Sequence, residues 1–143
     1  GTHATSDMYW ADERLGPERI RHAYAFKDLL AQNGWVVNGT DFPVEEIDPL
    51  NTFYATVARK DKQGWPDGGF QMENALTREQ TLRSMTIWAA MGSFEEDIKG
   101  SLEPGKFADF VMLDKDIMQI KVDDVPSVKV MATYSGGEKV FGR

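Results

Sequence analysis

Apolar residues recur at helical spacing in three stretches of the first hundred residues. The first predicted helix covers residues 17–33, because Pro17 suits a first helical turn and Gly34 suits a C-terminal stop. Its apolar stripe consists of Ile20, Ala23, Tyr24 and Leu30. A second helix is predicted for residues 49–59, where Pro49 opens the segment.

A third helix is predicted for residues 77–91, with Gly92 as its stop. Thr77 and Gln80 have the spacing of a capping box, in which each residue bonds the backbone of the other. The predicted buried stripe contains Leu82, Met85 and Ala89. The preceding stretch, residues 60–73, is rich in Gly and Pro and is predicted to be an exposed loop.

Short runs of β-branched and apolar residues predict strands elsewhere in the chain. Residues 35–40 form one such run directly after the first helix. From residue 100 the helical pattern gives way to strands only, beginning with the apolar run 106–113. Residues 127–134 and 138–141 then flank Ser135-Gly136-Gly137, which predicts a tight hairpin.

The order of these elements favours an α/β fold. Helices and single strands come first, and a helix followed by Gly and a short strand is half of a βαβ unit. We therefore expect an α/β part over residues 1–99 and a small β part over residues 100–143.

Composition and charge exclude several classes of function. The 143 residues are 41% hydrophobic and 11% aromatic, which is typical of a globular domain. The formal net charge of −7 argues against binding to nucleic acid or to an anionic membrane, since an acidic chain repels phosphate groups. The absence of cysteine excludes thiolate metal sites and fits a reducing compartment, so a cytoplasmic location is expected. No apolar run approaches the roughly 20 residues of a membrane-spanning helix.

Asp41 is the most interesting residue for chemistry. It follows the predicted strand 35–40 and precedes a loop containing Pro43, a position that carries catalytic groups in parallel α/β folds. Such a strand fixes the carboxylate while the loop exposes it to substrate. The competing interpretation is a turn residue, because Asp before a turn is commonly a cap, and propensity alone favours that interpretation.

Other titratable residues give weaker signals. His3 and His22 are the only histidines, and their separation is not a metal-binding spacing. His22 is predicted to be a surface residue. Glu45, Glu46 and Asp48 follow Asp41 closely, and paired carboxylates serve acid–base chemistry, but such clusters are more commonly solvated.

Four segments resemble, in the same order, motifs of amidohydrolase family 3. Residues 2–7 (THATSD) resemble the end of its Q-P-T-H-A-T-S-D stretch, and residues 39–45 (GTDFPVE) resemble G-[ST]-D-x-P-V-E. Residues 100–114 are similar to the K-G-S-[LI]-x-P-G-K-x-A-D-[LF]-V-[VM]-L-D signature, whose P-G-K-x-A-D part is the most specific. Residues 132–137 are similar to a T-x-x-G-G hairpin.

The resemblance implies a metal-bearing (β/α)8 barrel attached to a β-sandwich, which hydrolyses C–N bonds other than peptide bonds in small amide-type molecules. Residues 1–99 are then the last βα units of an incomplete barrel, and residues 100–143 are strands of the sandwich. Asp41 matches the aspartate at the end of the last barrel strand, which ligates a divalent metal, expected to be zinc, and acts as general base. His3 matches a histidine that faces the substrate.

The sequence also departs from the family pattern. The H-x-H pair and the other metal ligands are absent, and a catalytic zinc normally has three protein ligands, so this chain alone is expected to bind no metal and to be inactive. The helices at 17–33 and 77–91 lack barrel strands to pack on, which predicts a homo-oligomer with an apolar interface. The alternative is a non-enzymatic oligomeric or binding module derived from an amidohydrolase.

Overall fold

The computed structural model describes residues 1–143 and shows a mixed fold of helices and one small sheet. The helices are α1 (Thr2–Ser6), α2 (Ala11–Arg19), α3 (Phe26–Asn33), α4 (Pro49–Ala58), α5 (Arg78–Met85) and α6 (Ile87–Gly92). Three 3-10 turns lie at Ile20–His22, Met72–Asn74 and Val122–Ser127. The strands β1 (Phe110–Leu113), β2 (Val130–Ser135) and β3 (Glu138–Gly142) form an antiparallel sheet in the order β1-β2-β3. None of the helices has the length and apolar character that crossing a bilayer requires.

Helices α4 and α5 begin where local sequence signals place them. The Asp48 side chain accepts a hydrogen bond from the backbone N–H two residues ahead and so caps α4. At the start of α5 the Thr77 side chain accepts from the Gln80 N–H, while the Gln80 side chain accepts from the Thr77 N–H. The predicted capping box is thereby confirmed.

The single helix predicted for residues 17–33 is wrong. Helix α2 already contains a non-helical residue at Gly16, with φ of 73°, and it ends at Arg19. Ala23 is extended and Tyr24 has a positive φ of 55° before α3 begins. The apolar spacing continues through this break, because periodicity reports which side chains are apolar and not whether the backbone stays helical.

The continuous helix predicted for residues 77–91 is also interrupted. Thr86 has φ of −125° and ψ of −99°, which separates α5 from α6. The predicted buried stripe is wrong at Leu82, which is 40% exposed, whereas Thr81 and Ser84 are fully buried. The apolar face of α5 is therefore divided: Leu82 lines an open groove, and Met85 lines the groove and also packs against the core.

The strand predicted for residues 35–40 is not formed as part of a sheet. Its one backbone hydrogen bond to another element runs from Asn38 N to Ser84 O, at 3.0 Å. A strand needs a neighbouring strand to satisfy its backbone groups, and none of the three strands of this chain lies beside it. We refer to residues 35–40 as the extended segment.

The predicted hairpin is confirmed. Strands β2 and β3 pair across a two-residue turn in which Gly136 and Gly137 have φ of 57° and 85°. Both residues need the left-handed region, which Gly adopts without a steric penalty. The strand predicted over residues 106–113 forms only in its last four residues, as β1.

The core is small and joins the middle of the chain to its C-terminal part. Phe53, Tyr54 and Ala58 of α4 pack against Val125 of the last 3-10 turn. The Arg78 guanidinium adds a polar link, because it donates to two backbone carbonyl groups of residues 117–120 at 2.5 and 2.6 Å. A division of the chain near residue 100 stays a prediction.

Much apolar surface is left uncovered. Only 21 of 143 residues are buried, and the accessible surface of 8836 Å² exceeds the roughly 7,400 Å² expected for a compact monomer of this mass. The excess includes large side chains that are more than half exposed: Phe42, Val44, Ile47, Phe94, Leu102, Phe107 and Val140. Such a surface is typical of a chain that packs against further polypeptide.

The Tyr54 hydroxyl makes stability sensitive to alkaline pH. It donates to Asp123 Oδ1 at 3.0 Å, and burial together with this carboxylate raises the pKa of Tyr54 to about 12. An unfolded tyrosine has a pKa of about 10. Between these values the folded state binds the additional proton, so this contribution is complete below pH 10 and is lost as the pH rises towards 12.

We therefore expect the free energy of unfolding to fall between about pH 10 and about pH 12, and to fall less steeply in Tyr54→Phe. Urea denaturation at a series of pH values measures both slopes. Equal slopes in the wild type and the variant would contradict this assignment.

Candidate functional site

The candidate site is an open cleft of about 620 Å³ beside helix α1. Its polar groups are His3, Asp7, Tyr24 and Asp41, and its apolar wall includes Phe26 and Val37. His3 belongs to α1, and Asp7 directly follows that helix. Tyr24 lies in the break before α3, and Asp41 follows the extended segment.

His3 and Asp41, the two residues predicted from the resemblance, lie together in this cleft. His3 Nε2 is 3.2 Å from Asp41 Oδ2 and 3.8 Å from Glu45 Oε1. The Asp41 side chain is 60% exposed, whereas that of Glu45 is only 19% exposed and accepts a hydrogen bond from Ser6 Oγ. The imidazole thus lies between the exposed carboxylate of Asp41 and the carboxylate of Glu45, which Ser6 holds by a hydrogen bond.

The turn at Asp41 does not use the Asp41 side chain. Its backbone has a positive φ of 56°, and its carbonyl oxygen accepts from Val44 N at 2.9 Å. The side-chain hydrogen bond within this turn goes instead to Thr40 Oγ1, from Phe42 N. Asp41 is therefore a turn residue by its backbone, but its carboxylate does not cap the turn and is engaged by His3 alone.

Helix α4 is the common support of both sides of the cleft. Helix α1 packs on α4 and buries Ala4 and Thr5, which fixes the helix that carries His3. The extended segment is tied to the same helix by Asn38 Nδ2, which donates to Thr56 Oγ1 at 2.8 Å. The His3–Asp41 pair is therefore held from two directions by one buried helix.

A second pair of interacting side chains, Asp7 and Tyr24, lines the same cleft. Tyr24 OH donates to Asp7 Oδ2 at 2.7 Å, and burial together with this bond raises the pKa of Tyr24 to about 12. Sequence reasoning missed this pair, because it assigned Tyr24 to the apolar stripe of a helix. Asp7 stands inside the quoted motif at residues 2–7, which is the one sequence signal that points to it.

The remaining acids and His22 behave as solvated or structural groups. His22 is exposed, Glu46 pairs with Lys62, and Asp48 caps α4. Their exposure agrees with the interpretation of His22 as a surface residue and of the acids as solvated groups. Glu45 differs from them, since it is half-buried next to His3.

The donors in the cleft suit a divalent metal in kind but not in number. Imidazole and carboxylate are both zinc donors, and His3 and Asp41 are adjacent. The chain has no group of three or more His, Cys, Asp or Glu side chains arranged to hold a metal ion. The residues of this chain therefore do not form a metal site by themselves.

Comparison with known proteins identifies the family of this chain. A sequence model of the amidohydrolase family matches residues 2–141. Protein LONG AFTER FAR-RED 3 of Arabidopsis thaliana is 34% identical over 140 residues, which cover 97% of this chain and 24% of that protein. N-substituted formamide deformylase of Arthrobacter pascens is 30% identical over 114 residues, which cover 80% of this chain and 20% of that protein.

A solved structure is similar as well. The crystal structure of an uncharacterized metal-dependent hydrolase from Pyrococcus horikoshii OT3 superimposes with a TM-score of 0.69 and 34% sequence identity. The matched part covers 84% of this chain and 24% of that chain. The mixed helices and small antiparallel sheet are thus shared with a metal-dependent hydrolase.

The chain spans 24% of the length of the Arabidopsis protein. The family model, in contrast, matches nearly all residues of this chain. The family predicted from the four motifs is confirmed. The chain belongs to the amidohydrolase family.

Proposed function

We propose that this chain contributes the Asp41 carboxylate to the metal site of a hydrolase that cleaves C–N bonds other than peptide bonds. The observation that carries the proposal is the state of that carboxylate. It lies on the rim of an open cleft, takes no part in the turn around it, and contacts only the imidazole of His3. A carboxylate in this state is available to a ligand or a proton.

In the proposed site Asp41 is one metal ligand and the general base. A divalent metal, expected to be zinc, lowers the pKa of a hydrolytic water when it is bound. Asp41 would help to hold that metal, and as general base it would take a proton from the hydrolytic water and return it to the leaving nitrogen. His3 Nε2, 3.2 Å from the carboxylate, orients Asp41 and faces the substrate.

The remaining ligands are proposed to come from polypeptide beyond this chain, since the donors here are too few. Residues 1–99 would supply the last βα units of a barrel, and residues 100–143 would supply strands of a β-sandwich. By itself the chain is proposed to be inactive. The name of the Arthrobacter relative indicates an N-substituted formamide as its substrate, which supports a small amide-type substrate here.

The uncovered apolar surface supports the proposed assembly. A groove of about 720 Å³ is lined by Leu82, Met85 and Ala89 of the third predicted helix, together with Phe110 and Val111 of β1. In an assembled hydrolase this groove is covered by other polypeptide. In the chain alone we propose that a second copy covers it, giving a homo-oligomer.

The same groove is the observation that favours the alternative function, an oligomeric or binding module without catalysis. The two functions differ in what happens when the missing part is supplied. A module is indifferent to the barrel of a relative and to Asp41, whereas a hydrolase fragment depends on both.

The test is to mix the chain with the part of the Arthrobacter deformylase that the chain does not match, in the presence of zinc. Light scattering measures association, and product formation from an N-substituted formamide measures catalysis. We expect the chain to pass from homo-oligomer to a mixed complex that hydrolyses the formamide, while each part alone is inactive. Failure to associate, or a complex without activity, contradicts the proposal.

A further inference from the structure

We propose that Tyr24, held by Asp7, determines substrate specificity in the cleft by selecting a substituent that carries N–H donors, with an alkyl- or arylalkylammonium group fitting best. This inference rests on the proposed function and assigns a substrate class to the same site. It is carried by the hydrogen bonds, the charges and the walls of the cleft.

The Tyr24 hydroxyl already uses its one hydrogen-bond donor within the protein. A phenol has one O–H to donate and lone pairs to accept with. Its O–H is donated to Asp7 Oδ2 at 2.7 Å, and burial and Asp7 together keep the phenol protonated by raising its pKa to about 12. Tyr24 therefore offers the cleft lone pairs alone, and a ligand group that bonds to it must be a donor.

The charges in the cleft also favour a ligand that carries hydrogen-bond donors, because they favour a cation. Asp7 and Asp41 both line it, and Glu45 stands behind His3. A carboxylate ligand would meet like charge, whereas an ammonium ligand would meet opposite charge.

The guanidinium of Arg59 is buried and does not line the cleft. Arg59 is fully buried, and its guanidinium lies 5.7 Å from the ring centroid of Phe26 and 5.8 Å from that of Phe70. Its Nη1 donates to the Tyr24 carbonyl oxygen at 3.4 Å, and its Nε donates to the Phe70 carbonyl oxygen. Arg59 thus fixes the backbone of Tyr24, and its guanidinium bonds carbonyl groups instead of lining the cleft as a ligand contact.

The backbone of Tyr24 supports a functional role. A φ of 55° is uncommon for an aromatic residue and persists only where surrounding contacts impose it. Here the contacts with Arg59 and Asp7 impose it, and the result is a phenol that lines the same cleft as Asp41. Phe26 and the half-exposed Val37 complete an apolar wall for the body of the ligand.

The experiment is an NMR titration of the 143-residue chain with three probes of matched ring size: benzylammonium, benzamide and benzoate. We expect benzylammonium to shift the amide signals of residues 37–41 and of Asp7 and Tyr24, benzamide to bind more weakly, and benzoate to leave these signals unchanged. Tyr24→Phe and Asp7→Asn are each expected to weaken benzylammonium binding about fivefold or more.

Tyr9→Phe is the matched control, because the Tyr9 hydroxyl pairs with Asp61 outside the cleft. It is expected to bind benzylammonium as the wild type does. If Tyr24→Phe does not fold, as judged from its amide spectrum, Asp7→Asn decides the question through the same contact. Benzoate binding as well as benzylammonium, or unchanged binding in a folded Tyr24→Phe or Asp7→Asn variant, overturns the inference.

The titration requires neither metal nor catalysis. It therefore tests the specificity role of Tyr24 independently of the proposed hydrolase function. Discrimination among the probes without hydrolysis in the mixed complex would leave the cleft assignment standing and remove the hydrolase function. Hydrolysis without discrimination would do the reverse.

Discussion

Replacing Asp41 with Asn is expected to lower the hydrolytic rate of the mixed complex by about 10³-fold, because general acid–base catalysis contributes about 10²–10⁴-fold and the amide accepts no proton at neutral pH. Asn keeps the size of the side chain, and the Asp41 side chain is 60% exposed and outside the hydrogen bonds of its turn. The fold and the association of the complex should therefore be unchanged. The measurement is the initial rate at saturating substrate, with light scattering as the check on assembly.

Asp28→Asn is the matched control for this prediction. Asp28 is an exposed acid of α3 that does not line the cleft with His3 and Asp41. The same change of charge at that position is expected to leave the rate within about twofold of the wild type. A fully active Asp41→Asn complex, or an equal loss in both variants, would remove Asp41 from the chemistry.

Phe53→Ala is expected to lower the free energy of unfolding of the chain by about 4 kcal/mol, the effect typical of removing a buried aromatic ring. Phe53 is 1% exposed and belongs to the cluster that joins α4 to Val125 near the other end of the chain. Because so few residues are buried, little other apolar packing compensates for the cavity. Urea denaturation followed by circular dichroism measures the change.

Phe94→Ala removes the same atoms from a ring that is 92% exposed, and it should change the free energy of unfolding by less than about 0.5 kcal/mol. A loss below about 1 kcal/mol for Phe53→Ala would show that α4 is not the centre of the core. A loss at Phe94 as large as that at Phe53 would show instead that Phe94 is buried in solution, in an interface between copies.

The elements that could be predicted from the sequence are those fixed by neighbours along the chain. The capping box of Thr77 and Gln80, the Pro at the start of α4, and the Gly136-Gly137 turn act within a few residues. The wrong predictions concern elements that depend on distant contacts. The break at Tyr24 depends on Arg59, which is 35 residues away, and apolar spacing carries no record of that bond.

The candidate site divides in the same way. Asp41 and His3 follow from a resemblance of short motifs, and the structure brings the two side chains to 3.2 Å. The short distance between the two side chains could not be inferred from the sequence, because 37 residues lie between His3 and Asp41 along the chain. The motif at residues 2–7 includes Asp7, but its contact with Tyr24 could not be predicted, because it arises from the same break in the helix that periodicity conceals.

We propose that the Asp41 carboxylate faces a metal that other polypeptide helps to hold. The most direct measurement is an anomalous difference map, recorded at the zinc edge, from crystals of the mixed complex. We predict a peak in direct contact with the Asp41 carboxylate, with the other protein ligands supplied by the added part. A zinc peak held without Asp41, with that side chain facing solvent, would contradict the account.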